Sequence, residues 1–481
     1  MNADTYQTVN DAIETATPAI ERISSEVWHL AELSLEETKS AEVHIRELED
    51  AGFTIISRGT SGQATAFIAE WTQGENGPRI GFLPEYDALP GLGNAATSRQ
   101  EVAPTGNANG HGCGHNLLGA GCTGAAIALK TSMMERGKPG TVRVYGCAAE
   151  ETTGAKVFMA RDGYFDDLDA CIAWHSAPIA TAGFVRTSAI NNVSVEFFGK
   201  TAHAGSDPWN GRSALDALEL FCHGINLMRE HVRPTVRMHY VVEAGGETPN
   251  VVPGYARLRM FIRDENRQGV EHVTEWAKQL ADGAALGTQT KANFAIDFGL
   301  YDLLPNTALV ERLYEHLQAV GVPDWTEEEQ AFARECQRNF GAQEHGLVTQ
   351  VLPLLPDRAE GGASDVGDVS WNAPTAIFVY PSFPLGIGLH TWPVTACGGM
   401  SIGTKAAIGA AHVMARLGMD LVTDKDLRDA AREDFRKRRA NTQYTSPLAS
   451  VDISSKTSQA AAHTPKDGAD EYVEPVDEPL A

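Results

Sequence analysis

From residue 79 onward, short apolar runs alternate with helical stretches, and this alternation fixes the fold class. Residues 80–83 read as a strand, a helix follows His115, and residues 142–145 and 172–174 read as further strands. Such alternation predicts a mainly parallel α/β sheet. Between 187 and 303 the texture changes. Residues 193–197 alternate, 212–231 are helical, 235–243 and 256–263 alternate again, and 266–286 are helical. That order, β-α-β-β-α-β, is the ferredoxin-like signature of a small α+β domain. It is inserted into the larger one, because the first texture resumes after Leu304, with a strand at 376–380 and a closing helix at 401–417. The expected division is therefore 1–186 with 304–440, and 187–303. Residues 5–50 carry Ile13, Ile20, Ile23, Val27 and Leu30 at helical spacing and predict one or two amphipathic helices interrupted by Pro18. Residues 424–440 form a charged helix whose run Arg436-Lys437-Arg438-Arg439 reads as a solvated helix end. The acidic tail, 445–481, is rich in Ser, Thr, Ala, Asp, Glu and Pro without periodicity, and is expected to be disordered.

Charge narrows the function. With 39 Lys+Arg against 63 Asp+Glu, the formal charge of -24 repels phosphate backbones and anionic headgroups, so nucleic-acid and membrane partners are not expected. A small-molecule substrate fits better. No basic n-region followed by an apolar run opens the sequence, and no long uninterrupted apolar stretch occurs, so a cytoplasmic location is expected. Seven cysteines at scattered positions do not make a disulfide framework.

The segment Gly110-His111-Gly112-Cys113-Gly114-His115-Asn116 places a thiol and an imidazole two residues apart before an apolar helix. In extended backbone, i and i+2 point the same way, so Cys113 and His115 can hold one ion while the glycines admit close approach. The competing reading is a Gly-rich turn around a buried structural cysteine. What favours the metal is where the strands end: 80–83 leads to Glu85 and Asp87, 142–145 to Glu150 and Glu151, 172–174 to His175, and 376–380 to His390. Ligands of open α/β sheets bind beyond the carboxyl ends of strands. Hydrolysis of an inert amide needs an activated water and a base. Adjacent Glu150 and Glu151 suit a division in which one carboxylate binds metal and the other moves the proton.

Seven strings carry a family resemblance: Pro84-Glu85-Tyr86-Asp87-Ala88-Leu89-Pro90-Gly91, the 110–116 segment, Ala149-Glu150-Glu151, Ala173-Trp174-His175, Gly199-Lys200-Thr201-Ala202-His203-Ala204-Gly205, Asn250-Val251-Val252-Pro253, and Asp365-Val366-Gly367-Asp368-Val369-Ser370-Trp371. Together, over roughly residues 10–440, the chain resembles the di-metal aminoacylase/carboxypeptidase family, peptidase family M20. It is most similar to the branch that holds the B-type aminobenzoyl-glutamate hydrolase subunits and the Xaa-Arg dipeptidases. The resemblance implies two divalent ions, Mn or Zn, and a homodimer formed through the inserted lid domain. It implies Cys113, His115, Glu151, His175 and His390 as ligands, Glu150 as general base, and Asp87 as the carboxylate orienting a ligand imidazole. His203 would reach the partner's site to stabilise the oxyanion, and Asn250 and Arg263 would grip the substrate's polar end, with Arg257 and Arg259 competing for that role. The implied reaction is cleavage of the C–N amide bond of a small N-acyl amino acid, an aminobenzoyl-glutamate-like conjugate or a dipeptide. Asn116 stands where Asp is common, and Thr152-Thr153-Gly154-Ala155 replaces a Gly-rich stretch. That altered loop leaves room for hydrolytic deamination of an aromatic amine, and a non-catalytic binding subunit is the reading from another class.

Overall fold

The computed structural model describes residues 3–359, 361–440 and 442–448. Its strands are β1 (Thr54–Arg58), β2 (Phe67–Gln73), β3 (Arg79–Phe82), β4 (Gly140–Gly146), β5 (Ala170–Ala177), β6 (Thr181–Arg186), β7 (Ala189–Phe198), β8 (Arg237–Ala244), β9 (Tyr255–Asp264), β10 (Lys291–Leu300), β11 (Leu355–Ala359) and β12 (Thr375–Pro381). Eight of them form one sheet in the order β1-β2-β4-β3-β5-β12-β6-β11. Its centre, β4-β3-β5-β12, is parallel, so the carboxyl ends of four strands share one edge. β4 is buried at every position, as expected of a strand covered on both faces. The other four strands form an antiparallel sheet, β10-β7-β9-β8, carrying helices Ala214–Met228 and Arg267–Thr288 over a core of their own. The fold class is thus the mainly parallel α/β sheet with an inserted ferredoxin-like unit.

Helices Ala3–Leu30, His115–Glu135 and Ser401–Thr423 pack on one another, and the latter two pack against the sheet. Helix His115–Glu135 is long and apolar enough to cross a membrane, but most of it is buried in this core. Its glycines let helices approach: a Cβ on Gly124 would lie 2.3 Å from Ile20 Cγ1. The first helix does not break at Pro18 as the sequence suggests but runs through it. A proline inside a helix costs about 3 kcal/mol. Ile13, Ile20, Ile23 and Val27 are all fully buried, and burial of each such side chain contributes about 1.5–3 kcal/mol, so packing wins.

The chain enters the small unit at 187–189 and leaves it at 301–303. These two crossings touch: Leu303 N donates to Thr187 Oγ1 at 3.1 Å. Arg267 ties them further, its N–H donating to Asp302 Oδ1 at 2.9 Å and its Nη1 to Asn191 Oδ1 at 2.7 Å. Of the stretch expected to be disordered, residues 445–448 are described and pack on the body. Tyr301 OH donates to the Thr445 carbonyl at 3.1 Å and Leu448 is buried. Residues 449–481 lie outside the described residues.

Candidate metal centre and catalytic site

Each strand end delivers its side chain through a specific local device. After β3, Glu85 bridges Cys147, keeping the β3 and β4 extensions side by side. Ala149 then takes φ +54°, a left-handed turn that is unusual for a residue with a Cβ. It is held by Glu37, whose Oε1 accepts from Ala149 N at 2.7 Å, and it turns Glu150 and Glu151 back toward the strand ends. Gly114, at φ +79°, caps the helix that begins with His115. His390 has φ +60°, and its N–H donates to the Gly112 carbonyl at 2.8 Å, lacing its loop to the Cys113 loop.

These devices bring the predicted residues together. Cys113 Sγ lies 3.6 Å from His175 Nε2. Glu151 Oε1 lies 3.4 Å from His390 Nε2 and 3.8 Å from His115 Nε2. His115 Nδ1 donates to Asp87 Oδ1 at 2.7 Å, and Asp87 Oδ2 accepts from Ser34 Oγ at 2.8 Å and Glu151 N at 3.0 Å. Two groups of potential ligand atoms share the thiol: Cys113 with His115 and His175, and Cys113 with Glu151 and His390, the atoms of each within 4.8 Å of one another. Around a tetrahedral ion with bonds of about 2.0–2.3 Å, neighbouring ligand atoms stand about 3.4–3.6 Å apart, which matches these separations. His115 Nε2, Glu151 Oε1 and Glu85 Oε2 are buried without hydrogen-bond partners among the described residues. Buried polar atoms left so are rare unless an ion or water completes them. The donor set fits divalent cations.

The electrostatics agree. Burial pushes the Cys113 thiol up to about 12, so its thiolate form needs a cation beside it. Burial, reinforced by Glu85 and Asp365, pushes the Glu150 carboxyl well above its usual range. That makes it a strong proton acceptor. For Asp87, burial raises the carboxyl, but His115 and the three hydrogen bonds outweigh it and hold it below its usual value.

The lid residues stand apart. His203 is exposed, and its Nδ1 accepts from the N–H groups of Gly205 and Ser206, both at 3.1 Å. Its proton is therefore on Nε2, facing outward. It bridges Val251, and Ala204 N donates to the Asn250 carbonyl at 3.0 Å, so His203 and exposed Asn250 share one edge. Among the described residues neither bonds to the metal cluster. Arg263 is half-buried, and its Nη1 donates to the Gly361 carbonyl at 3.2 Å. Its two rivals are engaged elsewhere, Arg257 and Arg259 both pairing with Glu243. His111 is a packing residue whose ring Nε2 meets the Val27 carbonyl at 2.9 Å.

The sequence reading missed Lys156. Fully buried, its Nζ lies 2.7 Å from Glu85 Oε1 and 2.5 Å from Asp365 Oδ1. The available signal was a lysine in the first turn of the short helix Ala155–Arg161, directly ahead of the apolar run Val157–Ala160. Glu37 and Ser34 were also missed, and nothing local marks either.

Comparison with known proteins decides the family: a family model described as peptidase family M20/M25/M40 matches residues 82–379. The chain belongs to this family. The match contains every candidate site residue except His390. The chain is 37% identical to the B subunit of the p-aminobenzoyl-glutamate hydrolase of Escherichia coli (strain K12), covering 92% of this chain and 97% of that protein. It is 27% identical to the Xaa-Arg dipeptidase of Mus musculus, covering 89% and 91%. The M20 fold recurs in the crystal structure of an aminobenzoyl-glutamate utilization protein from Klebsiella pneumoniae, with TM-score 0.57 and 19% identity over 85% of this chain and 98% of that one. It recurs also in the Bacillus subtilis YXEP protein, described as a dinuclear metal-binding peptidase, with TM-score 0.57 and 17% identity over 85% and 99%.

Proposed function

We propose that this M20 protein is a metal-dependent amidohydrolase that cleaves the C–N amide bond of a small N-acyl amino acid, an aminobenzoyl-glutamate-like conjugate or a dipeptide. The observation that carries the reading is the convergence of the partnerless atoms His115 Nε2 and Glu151 Oε1 with Cys113, His175 and His390, directly beside Glu150. Cys113, His115, Glu151, His175 and His390 would hold two divalent ions. Bound there, the ions supply an acidified water and polarise the amide carbonyl. The thiol and three imidazoles suit zinc, and the carboxylates admit manganese.

Glu150 takes the proton of the attacking water and delivers it to the leaving nitrogen. Asp87 fixes the His115 ring by accepting from Nδ1, which aims Nε2 at the ion. His203 presents an Nε2–H donor to the oxyanion. Because that donor faces outward from the lid, we assign it to the site of a second copy in a lid-mediated homodimer. Asn250 and Arg263 take the polar end of the substrate. Because the aminobenzoyl-glutamate hydrolase relatives are named as two different subunits of one enzyme, a mixed assembly is the alternative outcome of a mass measurement.

The test is elemental analysis of the purified protein and its Cys113→Ala variant, followed by a panel of N-acyl amino acids, aminobenzoyl-glutamate and dipeptides. Near two divalent ions per chain, lost in the variant, with two organic fragments released per turnover, is the expected result. A folded, metal-supplemented protein that binds no divalent ion refutes the reading.

A further inference from the structure

Glu85 has no place in the ligand set above, yet its carboxylate is as firmly aimed as any member of it. It follows β3, is almost wholly buried, and offers its two oxygens to different neighbours. Oε1 is bound by Lys156 Nζ at 2.7 Å. Lys156 is itself immobilised by Asp365, which accepts from its Nζ through Oδ1 at 2.5 Å and from its backbone N–H through Oδ2 at 3.3 Å. The rotamer of Glu85 is thus set by a salt bridge whose far end is also anchored.

Its other oxygen, Oε2, has no hydrogen-bond partner among the described residues and lies 3.4 Å from His115 Nε2, which has none either. Glu85, His115 and Glu150 form a third group whose ligand atoms lie within 4.8 Å of one another. With a neutral His115 donating through Nδ1, two lone pairs face each other across 3.4 Å. That arrangement is repulsive unless a proton or a metal ion lies between them, and about 3.4 Å is the separation that two ligand atoms of a tetrahedral ion with bonds of about 2.1 Å adopt. A buried carboxylate oxygen without a donor is costly for the same reason.

We infer that Glu85 is a further carboxylate of the metal centre, its Oε2 facing the ion bound by His115 Nε2, and that Lys156 is the positioning residue that fixes it there. The inference rests on the metal-centre reading above. Lys156 also offsets the charge of Glu85 and Asp365, two anions that otherwise crowd Glu150.

Glu85→Gln tests it, since the amide carbonyl still accepts from Lys156 while its NH2 turns a donor toward the cation. Zinc and manganese affinities are titrated against a chromophoric chelator, with circular dichroism to confirm folding and Cys113→Ser as reference. The expected result is one ion weakened by about 10–100-fold, the other nearly unchanged, and both weakened in Cys113→Ser. Should Glu85→Gln fail to fold, Glu85→Asp keeps the charge and the lysine but withdraws the oxygen, and weakens the same ion. Lys156→Met, read by the same titration, weakens that ion too, whereas a purely structural lysine lowers Tm and leaves affinity alone. Folded Glu85 variants that bind both ions as wild type, while Cys113→Ser does not, overturn the inference and leave Glu85 as a counter-ion of Lys156. Wild-type binding in Cys113→Ser as well overturns it together with the metal-centre reading.

Discussion

Asp87→Asn isolates the orientation of one imidazole from every other property of the centre. The Asp87 carboxylate accepts three hydrogen bonds, from His115 Nδ1 at 2.7 Å on one oxygen and from Ser34 Oγ at 2.8 Å and Glu151 N at 3.0 Å on the other. Asparagine has the same shape but only one accepting end. If its carbonyl keeps Ser34 and Glu151, its NH2 faces His115 Nδ1, which must then give up its proton and accept. The proton moves to Nε2, the atom 3.4–4.0 Å from Glu85, Glu150 and Glu151, and the lone pair aimed at the ion is lost. If the amide is reversed, its NH2 opposes the Glu151 N–H and pushes away the segment carrying that ligand. Either way a charge-assisted bond worth about 1.5–3 kcal/mol goes, and the loss in metal affinity is about 10–100-fold, or about 1.4–2.7 kcal/mol. The assay is competitive zinc titration alongside a thermal melt in excess metal. Wild-type affinity in a folded Asp87→Asn protein refutes the assignment of His115 as an Nε2 ligand.

Three further outcomes are expected. Glu150→Gln lowers kcat by about 10²–10⁴-fold with metal content unchanged, and a smaller drop assigns the proton transfers elsewhere. His203→Gln lowers kcat by about 10²–10³-fold, and co-expressing it with Glu150→Gln restores activity, because a mixed dimer holds one intact composite site; no restoration refutes the second-copy assignment. Asp302, whose carboxyl burial pushes up from 3.8 to about 6, favours the folded state when protonated, so its contribution is full below about pH 4 and disappears as pH rises through about 6. Asp302→Asn keeps the acceptor for Arg267 N and stays neutral, so it should match wild type at about pH 4 and exceed it by about 2–3 kcal/mol at about pH 8; equal stabilities at both pH values refute the sign.

Glu150, Glu151, His175 and His390 were legible because each follows an apolar run and a parallel sheet gathers such ends at one edge, and Cys113 and His115 because of their two-residue spacing ahead of an apolar helix. The β-α-β-β-α-β order was legible for a similar reason: helical and alternating periodicities are local. Lys156 was not, since its meaning lies in Asp365, 209 residues away. Nor was Glu37, whose grip on Ala149 spans 112 residues and serves a backbone angle rather than a pattern. Pro18 reads as a break because propensity is local, whereas the burial of Ile13 and Ile20 that outweighs it is set by distant packing. The lone pair of Glu85 was invisible for a different reason: a strand-end glutamate reads the same whether one of its oxygens is free or both are taken.

The contact between Thr187 and Leu303 has a consequence for how this architecture tolerates change. A folded unit whose own ends lie one hydrogen bond apart burdens its host with little more loop-closure entropy than a short turn does. The large sheet therefore carries little entropic cost from the length of what is spliced between its sixth strand and the return at 301–303, provided contacts such as Arg267 with Asp302 are kept. Modules can be exchanged at that seam while the strand ends of the large sheet stay as they are. Grafting the 189–300 segment of a relative onto this catalytic half is accordingly a substitution of one part, rather than a redesign of two.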